Sequence, residues 1–198
     1  YRHTDGSFSA FGNQDKEGSL WLTAFVLKTF AQANGLFYVD ITVLDQAKAW
    51  IVKHQNADGS FDNVGFVAHQ ELMGGVKGKP ALTAYIAVAL MEAGEKDASA
   101  RAVRYLENND GKSDDAYTAA IVTYALELAK SPKAASAYDH LMKLAQESDA
   151  GIYWGDDLAV MPQPQAGLGL SPFKPAPPLR PNRTASIETS GYATLALI

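Results

Sequence analysis

Stretches that are apolar on every side alternate along this chain with stretches that are apolar on one side only. Residues 18–33 carry Leu20, Leu22, Phe25, Val26, Phe30 and Ala33 at helical spacing, and Ser19 is placed to cap their start. Residues 82–93 and 116–129 are apolar almost all round, and Gly94 stops the first of them. Residues 187–198 begin one more of the more apolar helices. Between these lie amphipathic stretches at 41–55, 98–108 and 132–147, the first capped by Asp40 and the last opened by Ser131-Pro132. Fully buried helices alternating with half-exposed ones predict two concentric layers, inner and outer.

A weak internal repeat supports that layering. Leu22-Thr23-Ala24-Phe25, Leu82-Thr83-Ala84-Tyr85 and Tyr117-Thr118-Ala119-Ala120 recur on the apolar helices, with a fainter Glu188-Thr189-Ser190-Gly191. A turn also repeats, as Asp5-Gly6-Ser7-Phe8 and Asp58-Gly59-Ser60-Phe61. In it Asp-Gly allows a tight reversal and phenylalanine anchors the reversal to the core. Repeated helix pairs predict an open solenoid or a closed ring. Residues 156–184 break the pattern, because Met161-Pro162-Gln163-Pro164 and Pro172 to Pro178 cannot form helix interior. An exposed proline-rich loop is expected there. We expect a single domain over 1–198, cut from a longer polypeptide, since the chain opens at Tyr1-Arg2-His3 and stops within an apolar run.

The chemistry-bearing segment is Gly65-Phe66-Val67-Ala68-His69-Gln70-Glu71-Leu72-Met73-Gly74-Gly75. It lies between two predicted helices. A helix would send positions 69 and 71 to different faces, whereas an extended or turn conformation keeps them near one surface. His69 and Glu71 are therefore the candidate reactive pair. His3, His54 and His140 have no metal-ligand spacing and read as surface or helix-end residues. Asp114-Asp115 reads as a helix start and Asp156-Asp157 as a solvated loop. Trp21, Trp50 and Trp154 read as core or seam fillers. No metal or cofactor is expected. A net charge of −5 gives no general affinity for nucleic acid, and no apolar run is long enough to span a bilayer. The chain has no cysteine, which excludes disulfides and thiolate chemistry within these residues. Asn182-Arg183-Thr184 is a glycosylation sequon.

The order of these motifs resembles the thioester-containing domain of the alpha-macroglobulin and complement superfamily. The resemblance rests on Tyr1 to Gly12, then Gly18-Ser19-Leu20-Trp21-Leu22-Thr23-Ala24-Phe25-Val26. The His69 loop with Gly74-Gly75, Leu82-Thr83-Ala84-Tyr85 and Ile187-Glu188-Thr189-Ser190-Gly191-Tyr192-Ala193 complete it. The opening is most similar to invertebrate thioester proteins and complement-like relatives. The resemblance implies an all-α fold, an (α/α)6 toroid of inner and outer helices. This chain would be its C-terminal two-thirds, an incomplete ring. It also implies a secreted or membrane-anchored parent of innate immunity that tags targets covalently, inhibits endopeptidases, or both. Its partners would be carbohydrate or protein hydroxyls and amines, proteases, receptors and the parent's other domains. The family's Cys-Gly-Glu-Gln motif precedes the matched region, so this chain holds the partner side of the thioester chemistry and is no enzyme in itself. His69 would be the acyl relay. Glu71 would orient it or remain a solvated acid. Asn182 would carry a glycan.

Two other readings compete. One is a non-reactive interaction module, a ligand for a receptor or regulator. The other is a toroid enzyme of the terpene cyclase kind, to which Gln55-Asn56-Ala57-Asp58-Gly59-Ser60-Phe61 has some likeness. A cyclase needs an Asp-x-Asp-Asp acid and a zinc prenyltransferase needs a cysteine ligand, and the sequence offers neither.

Overall fold

The computed structural model describes residues 1–66, 76, 78–109, 113–149, 151–155 and 183–198. Seven α-helices are described: α1 (Leu20–Ala33), α2 (Ile41–Lys53), α3 (Gly78–Glu92), α4 (Lys96–Asn109), α5 (Ala116–Leu128), α6 (Ala134–Lys143) and α7 (Arg183–Ala196). A two-stranded antiparallel hairpin, β1 (Gln146–Ser148) and β2 (Gly151–Tyr153), lies between α6 and α7.

The predicted layering holds. α1, α3, α5 and α7 pack side by side as an inner row, while α2 backs α1, α4 backs α3 and α6 backs α5. Position in the row decides burial. α3 is enclosed by α1, α4 and α5, and it buries every residue from Ala81 to Leu90. Its alanines keep the neighbouring helices close, while Ile86 and Leu90 fill the core. α5 sits between α3 and α7 and is likewise buried from Tyr117 to Thr123. α1 ends the row. Its buried residues lie between Leu20 and Leu27, and Phe25 and Phe30 stay exposed. α1 does not pack along α7, so the inner helices form an arc rather than a closed circle among the described residues.

Local chemistry sets the helix ends. Ser19 Oγ accepts from the Leu22 N–H at 3.3 Å, Asp40 from Thr42 at 2.9 Å and Asp115 from Thr118 at 2.8 Å. The Asp115 cap confirms the acidic pair as a helix start. Three expectations need correction. α3 begins at Gly78, because Pro80 is tolerated in a first turn. α7 begins at Arg183, inside the stretch expected to be loop. α6 runs only from Ala134 to Lys143, and the rest of its expected span, to Glu147, turns into β1.

The repeated turn is built twice with the same bonds. Asp5 Oδ1 accepts from the Ser7 N–H at 3.0 Å and Ser7 Oγ at 2.6 Å; Asp58 Oδ1 accepts from Ser60 at 2.9 and 2.6 Å. Gly6 and Gly59 take φ of 91° and 90°. The next N–H in each turn docks on an inner helix: Phe8 N–H donates to Thr23 Oγ1 at 2.9 Å, and Phe61 N–H to Thr83 Oγ1 at 3.1 Å. The repeated threonines thus tie each turn to α1 and α3. A comparable backbone tie reaches α7. Trp154 N–H donates to Ser190 Oγ on α7 at 3.2 Å, so Ser190 rather than Thr189 carries the tie there. The Thr118 hydroxyl donates to its own cap, Asp115, at 2.6 Å.

Each turn also grips the outer helix behind it. In the second copy Gln55 Nε2 donates to the carbonyls of Gly59 and Ala98, both at 2.9 Å, and Arg101 Nε donates to Gln55 Oε1 at 2.9 Å. In the first copy Arg2 occupies the turn position and donates to Gln46 Oε1 on α2. The arginine and glutamine have exchanged places between the copies.

The aspartates make this frame sensitive to acid. Burial alone would raise the Asp5 carboxyl, but bonds from Ser7 and Trp50 and the nearby His3 outweigh it and hold it below its ordinary value. Bonds from Ser60 lower Asp58. A depressed folded-state pKa contributes stability that is present above the unfolded value and lost as pH falls through the folded one. Melting temperatures measured from about pH 6 to about pH 2 are expected to fall most steeply below about pH 4. The Asp5→Asn, Asp58→Asn double variant should flatten that fall; an unchanged slope would rule the pair out as its source.

Candidate functional site

His69, Glu71 and Gly74-Gly75 lie outside the described residues, as does the sequon asparagine Asn182. What the structure describes is the frame that carries the loop between Phe66 and Val76. The incoming strand of chain is fixed to the start of α1, where Leu20 N–H donates to the Val64 carbonyl at 2.9 Å. Gly65, at φ +76°, lies so close that a Cβ there would sit 2.2 Å from the Gly18 carbonyl oxygen. No side chain fits between these two segments. The outgoing chain buries Val76 and enters α3 at Gly78. An ion pair between Lys79 Nζ and Asp62 Oδ1 at 2.7 Å ties the two stems together. The Lys79 bond, followed by one from Asn56, lowers Asp62, and Asp62 in turn raises Lys79.

The two described stems therefore meet where α1 and α3 both begin. Helix N-termini carry unpaired N–H groups and partial positive charge, which favour an anion or an oxygen that gains negative charge.

Trp21, the second residue of α1, stacks on Phe25 at 5.7 Å and on Tyr85 of α3 at 6.0 Å, and is 7% exposed. It fills the seam, as expected. Its indole Nε1–H, however, is buried with no hydrogen-bond partner among the described residues. The other two tryptophans are also buried, but their N–H groups are satisfied. Trp50 donates to Asp5 Oδ2 at 3.0 Å and Trp154 to the Leu141 carbonyl at 2.9 Å.

Farther along α1, Lys28 enters the interior of the arc. Its Nζ lies 5.9 Å from the ring centre of Tyr85 and 5.6 Å from that of Tyr192 on α7. Burial lowers its pKa, and the charges of Glu92 and Glu188 partly restore it. Tyr117 donates to Glu188 Oε1 at 3.1 Å and meets Tyr192 edge-on at 5.9 Å. Burial first, then neighbouring tyrosines and Glu188, pushes Tyr85 and Tyr117 well above the ordinary phenol range. Sequence reading missed this cluster. The available signal was a cation at position 28 on the stripe of Trp21 and Phe25, where an apolar residue would be routine.

The remaining histidines occupy structural positions. His3 Nε2 pairs with Ser9 Oγ at 2.7 Å, His54 Nδ1 with the Trp50 carbonyl at 2.8 Å, and His140 Nε2 with the Ser113 carbonyl at 2.6 Å. Among the described residues no three His, Cys, Asp or Glu side chains are grouped to hold a metal, and no helix is long and apolar enough to cross a membrane.

Residues 1–198 match the A-macroglobulin TED domain along their whole length. The chain is 40% identical over 203 residues to ovostatin of Gallus gallus, an alignment covering 100% of this chain and 13% of that protein. The chain thus spans about an eighth of the length of this curated relative. A full-length match joined to a two-layered helical arc leaves one assignment: the chain belongs to the alpha-macroglobulin family, as its thioester-containing (TED) domain.

Proposed function

We propose that this domain serves a secreted alpha-macroglobulin-like protein that captures its targets, proteases among them, through a reactive thioester. The whole-chain family match carries the reading. The loop frame at the starts of α1 and α3 supports it, because the positive helix ends there favour the negative charge that acyl transfer develops. The parent's cysteine and glutamine would supply the thioester, since this chain has no cysteine. His69 acts as the relay. Its unprotonated ring nitrogen attacks the thioester carbonyl, the carbon–sulfur bond breaks, and acyl-imidazolium and thiolate result. The thiolate takes the proton of an incoming hydroxyl, the ester forms, and neutral imidazole departs. Imidazole at its ordinary pKa of about 6.5 is mostly neutral near pH 7, as the attack requires. Glu71 orients the ring. Amines need no relay and attack the thioester directly. Each molecule reacts once, so the domain is a single-use reagent rather than an enzyme. Asn182 carries a glycan in this extracellular setting.

The test is methylamine treatment of the full-length parent, with free thiol and intact mass followed together. Uptake of one methylamine with release of one thiol is the expected result. Neither uptake nor release would reject the reactive reading in favour of a binding module that presents the domain to receptors or regulators.

A further inference from the structure

We propose that Asn34 is a site of spontaneous covalent modification, where the backbone nitrogen of Gly35 displaces the side-chain amide and leaves aspartate or isoaspartate at the C-terminal end of α1. The inference is independent of the thioester reading. Asn34-Gly35 is the one Asn-Gly pair in the chain. Asn34 is the C-cap of α1, and both residues are exposed. Glycine offers no side chain to shield its nitrogen, and nothing lies within 4 Å of where a Cβ would stand on Gly35. Among the described residues no hydrogen bond engages the Gly35 N–H or the Asn34 side chain. Nucleophile and electrophile are thus adjacent, solvated and unengaged. The two Asp-Gly pairs of the repeated turn have the same connectivity, and the fold blocks ring closure in both. Gly6 N–H donates to the His3 carbonyl at 3.1 Å and Gly59 N–H to the Asn56 carbonyl at 2.9 Å. Their aspartates are held by Ser7 and Ser60, and a Cβ on either glycine would meet backbone atoms at 2.8 and 2.2 Å.

Hydroxide removes the Gly35 amide proton. The nitrogen lone pair attacks Asn34 Cγ, the N–Cγ bond forms and the Cγ–Nδ2 bond breaks. The departing nitrogen takes a proton from water and leaves as ammonia, which restores the hydroxide. Water then opens the succinimide ring. Cleavage beside Cγ gives aspartate; cleavage beside the main-chain carbonyl gives isoaspartate, whose backbone runs through Cγ. Closure needs rotation about Asn34 ψ, which stands at −11°. That rotation releases the Leu36 and Phe37 bonds to the Ala33 carbonyl, 2.8 and 3.0 Å long, at a helix end where fraying is ordinary. Either product sets a carboxylate at the end of α1, beside carbonyls that already carry partial negative charge. The new charge adjoins Leu36, Phe37 and Tyr38, an exposed apolar run between α1 and α2.

The experiment incubates the full-length parent in warm, mildly alkaline buffer, folded and in parallel in urea. Peptide mapping reads amide loss by mass, and enzymatic methylation reads isoaspartate. In the folded protein Asn34 is expected to convert at least about tenfold faster than Asn56 and Asn63, which precede Ala57 and Val64. Asp5 and Asp58 should stay unmodified in the folded protein and form isoaspartate in urea, where their glycine N–H groups are released. Gly35→Ala should slow conversion at Asn34 by about tenfold or more without loss of stability, because neither a close contact nor a positive φ requires glycine there. Conversion of Asn34 no faster than that of Asn56 and Asn63 in the folded protein would overturn the proposal. So would conversion seen only in urea, which would mean that the turn protects the pair. An unchanged rate in Gly35→Ala would remove the Gly35 nitrogen from the reaction. Isoaspartate at Asp5 or Asp58 in the folded protein, formed as fast as at Asn34, would overturn the N–H criterion on which the choice of site rests.

Discussion

Alanine at Gly59 is expected to cost about 4 kcal/mol or more of folding stability, combining left-handed backbone strain with overpacking against a helix. At φ +90° the new Cβ would stand 2.2 Å from the carbonyl oxygen and 2.7 Å from the carbonyl carbon of Arg101. These are backbone atoms of α4, held by their own helix, and cannot swing aside as a flexible side chain would. Relief requires lifting the turn off α4. That motion would break the Gln55 bond to Ala98 and the Arg101 bond to Gln55, and would pull Phe61, which is fully buried, from its tie to Thr83. Gly94 is the control. It has φ +72° but nothing within 4 Å of an added Cβ, so alanine there should cost only the strain, about 1 kcal/mol. Urea unfolding followed by circular dichroism measures both. A Gly59→Ala loss no greater than that of Gly94→Ala would show that the contact with α4 is not what holds the turn.

Replacing His69 with alanine is expected to lower ester transfer to glycerol by at least about a hundredfold, the usual contribution of a positioned imidazole. Methylamine uptake should be kept, because an amine is nucleophilic enough to attack the thioester without a relay. The split between the two acceptors is the informative quantity. A loss of both would point to damage to the loop or the thioester itself. Retention of glycerol transfer would remove His69 from the mechanism. A variant at Glu71 that preserved both would leave that carboxylate as a solvated loop acid.

Much of the architecture is legible in the sequence because each local signal agrees with the tertiary outcome. Ser19, Asp40 and Asp115 cap the helices they precede, and the all-round apolar stretches become α3 and α5, which have neighbours on three sides or more. The misses have specific causes. Leu144 and Ala145 continue the apolar face of α6, and nothing in Gln146-Glu147-Ser148 forbids helix. The hairpin forms through longer-range contacts: Gly151 at φ +129°, the Gln146 amide on the Gly155 carbonyl at 2.6 Å, and Trp154 on Ser190. α3 starts early because Gly78 and Pro80 read as breakers, yet both suit a helix entrance. The site divides the same way. The motif around His69 is visible as residues in a row. The stacking of Trp21 and the Lys28 cluster depend on what α1 meets on α3 and α7, and no local pattern encodes that.

The exchanged arginine and glutamine bear on how this arc can drift over evolutionary time. Arg2 faces Gln46, and Gln55 faces Arg101, so the two copies satisfy one interaction with opposite handedness of donor and acceptor. Changing the glutamine of either pair to arginine would set two guanidinium groups, like-charged and both donors, against each other at a point where turn and outer helix touch. The four positions therefore form two inheritance units rather than four independent sites. A scheme that averaged the repeats position by position would assemble mismatched partners from individually acceptable residues.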